Sequence, residues 1–204
     1  MLSAITVSLL LITVSELGDK TFFIAAILAM RHRRRWVFLG AVLALAAMTL
    51  LSVCMGQVAG LLPSRVIQWA EVTLFLGFGF KLMYEASQMS RTHTEEKDAA
   101  AVVAKAEQKG VKETPMAIVT EAFGLTFLAE WGDRTQIATI ALAAAHPPLG
   151  VVSGAVLGHA ICAAIATSCG RWLCGRLSER SLTMLGGGLF LLFGVLAAMS
   201  VFNQ

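Results

Sequence analysis

The stretch ELGDKT at residues 16–21 recurs as EWGDRT at residues 130–135, 114 positions later. Both stretches follow one pattern: an acid, any residue, glycine, an acid, a base and threonine. Each lies inside an apolar run long enough to cross a bilayer as a helix, which takes about 20 residues. Charged residues are rare and costly at such places, so their repetition indicates a function inside the membrane.

The composition of the whole chain is typical of a membrane protein. Of its 204 residues, 57% are apolar and 14% are charged, whereas soluble domains have about 25% charged residues. The net charge of +3 is small, and no basic stripe with interleaved aromatic residues occurs, so nucleic acid is not an expected partner. We therefore predict an all-α integral membrane protein that is surrounded by lipid.

Six runs are apolar and long enough to be transmembrane helices. They cover roughly residues 3–30, 36–62, 66–89, 116–145, 149–171 and 182–202. A long polar stretch separates the first three from the last three, and its composition predicts a solvated, partly helical linker. The expected organisation is a first three-helix repeat at 1–90, a cytoplasmic polar linker at 91–115 and a second three-helix repeat at 116–204.

Basic residues in the connections between spans predict the orientation. Three alternate connections and their flanks hold twelve Lys and Arg residues, and the other face holds one, Arg65. The twelve are Arg31, Arg33, Arg34, Arg35, Arg91, Lys97, Lys105, Lys109, Lys112, Arg171, Arg176 and Arg180. Because cytoplasmic loops carry the excess of Lys and Arg, we expect these connections in the cytoplasm. Both termini are then on the outer side of a multi-pass protein of the inner (plasma) membrane.

The two halves share more than the charged motif. GAVL occurs at 40–43 and again at 154–157, with the same spacing of 114 residues. Because each half has an odd number of spans, its first helix runs in the direction opposite to that of the other half. The repeats are therefore predicted to be inverted, which places a binding site near the midplane of the membrane, between the halves.

The acids of the two motifs are the predicted metal ligands. They are Glu16, Asp19, Glu130 and Asp133. Within each copy the two acids stand three residues apart and would share one face of a helix. Lys20 and Arg134 can pair with two of the four acids, which leaves a formal charge of −2. One divalent cation would balance that charge, and this favours a single site shared by both halves.

Neighbouring side chains add further oxygen atoms to the predicted site. Ser15 and Thr21 flank the first pair of acids, and Thr135 and Gln136 flank the second. Carboxylate, hydroxyl and amide oxygens suit magnesium, calcium or manganese, whereas zinc and copper prefer nitrogen and sulfur. Without a metal, desolvation and like-charge crowding favour the protonated acids. We therefore expect metal and protons to compete for the site.

Three ionisable residues outside the motifs have less specific interpretations. Glu121 stands nine residues before Glu130, and it is either an entrance ligand or a solvated residue at the end of the fourth span. Glu71 is expected at the outer rim of the third span. His146 precedes two prolines and is expected to be a loop residue at the outer mouth.

The duplicated E-x-G-D-[KR]-T motif resembles that of a family of small membrane proteins. This family includes the Golgi manganese/calcium–proton transporters of eukaryotes and bacterial MneA-like manganese exporters. The resemblance covers essentially the whole chain, and the compact chain resembles the bacterial members more than the organellar ones. It implies export of Mn²⁺ from the cytoplasm, or exchange of Ca²⁺ or Mn²⁺ for protons, through the four motif acids. The metal is then the transported ion, and no cofactor is expected.

Other functions are open at this level. One is a Ca²⁺/H⁺ antiporter that uses the same site. Another is an intramembrane metal-dependent phosphatase, which is disfavoured because no His or Ser nucleophile and no dense set of Arg accompany the motifs. A third is a structural subunit whose motif charges lock a helix bundle. We expect a transporter and not an enzyme, and the sequence is compatible with a monomer or a homodimer.

Overall fold

Helices make up the regular structure of the chain. The computed structural model describes residues 2–89, 94–107, 114–174 and 177–202. In these ranges the helices are α1 (Leu2–Glu16), α2 (Lys20–Arg31), α3 (Arg34–Ala59), α4 (Ser64–Gln88), α5 (Thr94–Glu107), α6 (Pro115–Glu130), α7 (Arg134–Ala145), α8 (Pro148–Leu173) and α9 (Glu179–Phe202). Four of the basic residues that predict the orientation lie outside the described ranges: Arg91, Lys109, Lys112 and Arg176.

Helices α3, α4, α8 and α9 contain stretches that are long and apolar enough to cross a membrane. Helices α1 and α2 together form a fifth candidate span, which is bent by 64°. The predicted fourth span, 116–145, is divided between α6 and α7. The chain is thus an all-helical protein with apolar spans, as its composition predicts, and its first and fourth predicted spans are each broken into two half-helices.

Glycines of the motif cause both breaks. Gly18 has a φ of 77° and Gly132 a φ of 83°, a left-handed conformation that other residues adopt at a cost of about 1–2 kcal/mol. Residues 17–19 and 131–133 are therefore not helical. The expectation that Glu16 and Asp19 share one face of a continuous helix is wrong, because Glu16 ends α1 and Asp19 precedes α2.

The two halves of the chain, α1–α4 and α6–α9, are interleaved. Helix α4 lies along α9, α1 and α2 lie along α8, and α3 packs on both α6 and α7. We call the end where α2, α4 and α8 terminate, and where α5 lies, the linker end, and the other the opposite end. The closest crossing is at Gly154 of α8, where a Cβ atom would overlap Ser8 Oγ and the carbonyl oxygen of Ile5 on α1.

The linker contains a 14-residue helix, α5, that packs on α2. Glutamates in its first turn and Lys105 in its last turn complement the helix dipole. Ala99 and Val103, one turn apart, are fully buried in an apolar cluster with residues of α2, α3 and α6. The linker was predicted to be solvated and partly helical; this segment is helical, and its apolar side is docked on α2 of the first half.

Candidate metal centre

The motif acids stand at the ends of half-helices. Glu16 is the last residue of α1, and Glu130 is the last residue of α6. Asp19 and Asp133 are the N-cap residues of α2 and α7. Carbonyl groups at a helix C-terminus carry partial negative charge, and two such termini, those of α1 and α6, meet here. This arrangement favours a cation beside the two glutamates.

Three of the four predicted acids form a compact cluster. One carboxylate oxygen from each of Glu16, Glu130 and Asp133 lies within 4.8 Å of the others. Two oxygens that face each other across a Ca²⁺ ion are about 4.6–5.2 Å apart, because each bond is about 2.3–2.6 Å long. The cluster, which we call the triad, therefore has the dimensions of a single site for a hard cation.

Both glutamates of the triad have one satisfied and one unsatisfied oxygen. Glu16 is 2% exposed and Glu130 is 1% exposed. Thr21 Oγ1 donates to Glu16 Oε2 at 3.1 Å, and Thr135 Oγ1 donates to Glu130 Oε2 at 3.3 Å. Within the described ranges, the two Oε1 atoms have no hydrogen-bond partner. Because a buried carboxylate oxygen without a donor is costly, a cation or a proton would stabilise both.

Asp19, the fourth predicted acid, stands beside the triad and is bound to Arg134. Arg134 Nη2 lies 2.9 Å from Asp19 Oδ1, and Arg134 Nε lies 3.8 Å from Asp133 Oδ1. One guanidinium therefore bridges acids from both halves. Its charge offsets part of the repulsion between the four carboxylates.

The remaining polar residues of the motifs have separate positions. Ser15 and Lys20 line a cavity that adjoins Asp19. Thr135 Oγ1 also lies 3.1 Å from Asp133 Oδ2, so one threonine contacts two acids of the triad. Gln136 Oε1 accepts from the backbone N–H of Gly132 at 2.7 Å. The amide of Gln136 therefore holds the second break in place, in addition to any contact it makes with an ion.

The cavity has a volume of about 460 Å³ and extends from the motifs to the linker end. Its acidic lining residues are Asp19, Asp133, Glu85, Glu95 and Glu179, and its basic ones are Lys20, Lys81 and Arg134. Burial raises the pKa of Glu95 in α5, and the nearby Arg134 acts in the opposite direction. The excess of acids attracts cations toward the motifs.

An apolar cluster fills the protein between the cavity and the opposite end. Phe75 and Phe190 are 1% and 0% exposed, and their ring centroids are 5.7 Å apart in an edge-to-face contact. Leu11, Leu142 and Val151 belong to the same cluster. Of the triad, Asp133 lines the cavity, whereas Glu16 and Glu130 do not. The cavity thus reaches the edge of the triad from the linker end, while packed side chains fill the opposite end.

Two histidine–carboxylate contacts differ from the sequence-based expectations. Glu121, the possible entrance residue, is not among the residues that line the large cavity, and its Oε2 lies 3.6 Å from His32 Nε2. Glu71 is buried, and its Oε1 lies 3.1 Å from His146 Nε2. His146 lies in the connection between α7 and α8, as expected, but the sequence analysis did not predict that Glu71 is buried or that it contacts His146. The sequence signal that could have identified His32 is its spacing of 114 residues from His146.

Comparison with known proteins supports a transporter. The sequence model of the family described as "Divalent cation/proton antiporter GDT1" matches residues 4–90 and 118–204. A GDT1-like protein of Synechocystis sp. is 57% identical over 201 residues, which are 97% of this chain and 97% of that protein. The GDT1-like protein 2, chloroplastic, of Oryza sativa subsp. japonica is 39% identical, over 98% of this chain and 62% of that protein. The protein PAM71-homolog, chloroplastic, of Arabidopsis thaliana is 38% identical, over 98% of this chain and 60% of that protein. No solved structure matches the chain.

Proposed function

The chain belongs to the GDT1 family of divalent cation/proton antiporters, and from this membership we propose that it exports Mn²⁺ from the cytoplasm in exchange for protons. The triad of Glu16, Glu130 and Asp133 is the proposed binding site, and both halves contribute to it. The observation that carries this proposal is the pair of buried, unpartnered Oε1 atoms within a cluster of the size of one ion. All the ligands on offer are oxygens, which suits Mn²⁺.

The proposed architecture has six spans, arranged as two inverted three-helix repeats at 1–90 and 116–204 with a cytoplasmic linker at 91–115. Each half begins with a broken span whose break carries one motif copy. The match of the family's sequence model once to 4–90 and once to 118–204 supports this division. The linker end carries the basic residues Arg31, Arg33, Arg34, Arg35 and Arg180. It is therefore the proposed cytoplasmic end, and both termini are outside.

Exchange follows from the burial of the triad. When Mn²⁺ leaves, three carboxylates remain close together, and those of Glu16 and Glu130 are buried, which favours protonation of the cluster. Protons and metal thus occupy the same oxygens in turn. In the arrangement described here the site faces the cytoplasm through the cavity, and rocking of one half against the other would expose it to the outside.

Transport by the purified chain in liposomes tests this proposal. Wild-type protein should move Mn²⁺, detected with an enclosed indicator, with an opposite flux of protons. Glu16→Gln and Glu130→Gln each replace a carboxylate by a neutral amide that binds Mn²⁺ more weakly and takes up no proton, and each should abolish both fluxes. Glu85→Gln is the matched control, because Glu85 lines the cavity but is partly exposed and pairs with Lys81 at 3.7 Å. It should retain transport within about threefold. Movement of Mn²⁺ without any proton flux or pH dependence would contradict the exchange mechanism.

Exchange of Ca²⁺ for protons is the second candidate function. The oxygen spacing of up to 4.8 Å in the triad fits the bond lengths of Ca²⁺ as it stands. Competition separates the two candidates: an Mn²⁺ exporter should keep most of its Mn²⁺ flux in a tenfold excess of Ca²⁺. Cells that lack the protein should then accumulate Mn²⁺ when challenged with it, and wild-type protein should restore their manganese content. If the cells accumulate Ca²⁺ alone, the second candidate is the correct one.

A further inference from the structure

Two histidine–carboxylate contacts lie outside the triad, one at each end of the molecule. At the opposite end, His146 Nε2 lies 3.1 Å from Glu71 Oε1. At the linker end, His32 Nε2 lies 3.6 Å from Glu121 Oε2. The glutamate side chains are 9% and 7% exposed, respectively. Each histidine therefore faces a carboxylate that is almost removed from solvent.

The two histidines occupy equivalent positions in the two halves. They are 114 residues apart, which is the spacing of the motif copies. Each caps the C-terminus of the half-helix that begins at its motif, with extended backbone at φ −121° for His32 and −129° for His146. The backbone N–H of each donates at 2.8 Å to the leucine four residues earlier.

Each contact also joins one half to the other. His32 ends α2 of the first half and faces Glu121 on α6 of the second. His146 ends α7 of the second half and faces Glu71 on α4 of the first. Relative movement of the halves at either end must therefore form or break one of these contacts.

The two contacts differ in length, and this difference agrees with the open cavity at the linker end and the apolar cluster at the opposite end. The Glu71–His146 contact, at the closed opposite end, is short enough for a hydrogen bond. The Glu121–His32 contact, at the end with the open cavity, is longer than a hydrogen bond. Among the described residues, His32 Nε2 and both carboxylate oxygens of Glu121 have no hydrogen-bond partner. A separate cavity of about 370 Å³ adjoins His32 and is large enough for several water molecules.

We propose that the two pairs are proton-binding sites that fasten the halves to each other, Glu71–His146 at the outer face and Glu121–His32 at the cytoplasmic face. The inference rests on the proposed function, which makes the linker end cytoplasmic. Histidine changes charge between about pH 5 and 8. A proton on the imidazole turns the contact into an ion pair between the halves, and loss of that proton weakens the attraction.

Proton binding at these sites couples the pH on each side to the closure of that side. Protonation of His146 from the outer phase closes the outer face and favours the arrangement that opens to the cytoplasm. This is the step by which an exporter that has released Mn²⁺ outside returns to load again. Protonation of His32 closes the cytoplasmic face in the same way and favours the opposite step.

Among the described residues, the charged groups near the cytoplasmic pair are arginines of α2, of α3 and of the connection between these helices. Arg31 and Arg33 line the smaller cavity next to His32. From α3, Arg34 donates to the carbonyl oxygen of Ser168 at 3.2 Å, and Arg35 lies over the ring of Trp36 at 4.9 Å. Helix α5 contributes apolar side chains to the neighbouring cluster.

The outer pair has a still simpler surrounding. At the opposite end of the molecule, the described helices hold one other charged residue, Arg65, which stands six residues before Glu71 on α4. From α3, Gln57 Nε2 donates to the carbonyl oxygen of Ala143 at 2.6 Å, one turn before His146. Among the described residues, Glu71 is therefore the charged group in direct contact with His146.

Mn²⁺ uptake into everted membrane vesicles tests the inference, because their lumen is the outer phase and the bath is the cytoplasmic phase. At each pH, uptake by His146→Gln is divided by uptake by wild type, because this ratio is free of the effect of pH on the driving force. This ratio should change about fivefold between lumenal pH 5.5 and 8, which is the effect of about 1 kcal/mol from one ion pair. It should stay nearly constant when the bath pH changes. His32→Gln should show the reverse dependence.

The partner and control variants sharpen the test. Glu71→Gln should reproduce the lumenal dependence of His146→Gln, and Glu121→Gln the bath dependence of His32→Gln. His159→Gln is the matched control, because His159 is a buried histidine on α8 with no carboxylate contact in the described part of the chain. Its ratio should not depend on the pH of either side. If neither the ratio for His146→Gln nor that for His32→Gln changes with the pH of either side, the proposal is overturned.

Thermal unfolding in detergent without Mn²⁺ tests the outer pair apart from transport. His146→Gln should lower Tm by about 2–4 °C at pH 5.5 and by less than about 1 °C at pH 8. His32→Gln should have a smaller effect, because its contact is already loose. A loss of Tm that is equal at both pH values would mean that His146 has only a structural role. If wild-type protein moves no Mn²⁺ but the Tm pattern holds, the proposed function fails and the proton sites stand.

Discussion

Arg134 in the second half of the chain lies 2.9 Å from Asp19 in the first, and its side chain also reaches Asp133, at 3.8 Å. The two motif copies are thus joined by a base from one copy and an acid from the other. The Arg134 side chain is 27% exposed and that of Asp19 is 12% exposed. The pair is sufficiently buried for the loss of one partner to leave a poorly solvated charge.

Arg134→Gln should lower the stability of the metal-free protein and increase the stabilisation by metal. The substitution leaves Asp19 and Asp133 without their shared cation, at an expected cost of about 2–3 kcal/mol. A bound divalent cation then offsets more repulsion than it does in wild type. Thermal unfolding in detergent with and without Mn²⁺ measures both effects. Arg134→Lys keeps the charge and should lie between the two proteins, and an equal metal-induced shift in all three would contradict this account.

Thr135→Val should weaken Mn²⁺ binding by about tenfold. The hydroxyl of Thr135 contacts two acids of the triad, Glu130 at 3.3 Å and Asp133 at 3.1 Å, whereas valine keeps the shape and removes both contacts. Equilibrium binding of Mn²⁺ to the purified protein measures the change. Thr73→Val is the control, because Thr73 is an exposed residue of α4 whose hydroxyl bonds to the carbonyl oxygen of Trp69. It should bind Mn²⁺ as wild type does.

Alanine at either motif glycine should destabilise the protein by about 1–2 kcal/mol, because both positions have a left-handed backbone. The two positions differ in their surroundings. A Cβ atom on Gly18 would lie 2.5 Å from Leu182 Cδ1, whereas a Cβ on Gly132 has open space. Gly18→Ala should therefore cost somewhat more than Gly132→Ala. In a Leu182→Ala background this difference should disappear, and its persistence would mean that the contact with Leu182 is not its cause.

Gly154→Ala should destabilise the protein by about 1–3 kcal/mol through overpacking. Its added methyl group would overlap Ser8 Oγ and the backbone oxygen of Ile5, and backbone cannot move aside as a flexible side chain can. Gly188→Ala on α9 is the matched control, because a Cβ at Gly188 meets nothing within 4 Å. Alanine there should stabilise the helix by up to about 1 kcal/mol. Unfolding measurements that gave both variants the same sign would contradict the packing at the α1–α8 crossing.

Glu95→Gln should change the pH dependence of stability in a definite direction. Burial raises the pKa of Glu95 in the folded protein, so the folded state binds more protons than the unfolded state above about pH 4.5. The contribution of this carboxyl group to the free energy of unfolding is therefore largest at low pH and decreases as the pH rises above about 4.5. Relative to wild type, Glu95→Gln should gain stability between pH 4 and pH 7. If the free energy of unfolding changed with pH in the same way for wild type and Glu95→Gln, the burial of this carboxylate would be contradicted.

The sequence predicts the triad better than it predicts the path of the chain through it. Repeated acids in apolar runs single out Glu16, Asp19, Glu130 and Asp133 as ligand candidates, because a charge inside the membrane is costly unless it binds an ion or pairs with another group. They do not indicate that Asp19 stands apart from the other three. The glycine between Glu16 and Asp19 does not by itself predict a break, because the left-handed turn at Gly18 depends on how the half-helices dock. The spacing of three residues therefore wrongly predicted that Glu16 and Asp19 share one face of a helix.

The contacts between the halves are beyond local sequence patterns. Nothing near Asp19 in the sequence indicates that Arg134, 115 residues away, is its partner. The same is true of Glu71 and His146, which come together because α4 and α7 end up side by side. In both cases the partners are set by tertiary packing, and a propensity or a motif carries no information about it. The repeat spacing of His32 and His146 is the exception, since it can be read without a structure.

The interleaving of α4 with α9 and of α1 with α8 means that neither half contains its own core. A fragment that ends after α5 would leave the surface that α8 and α9 cover exposed to lipid or to other chains. Its best available partner would be the missing fragment. A chain cut between α5 and α6 should thus be active only when both pieces are made together. The peptide link between the halves then serves mainly to supply them in equal amounts.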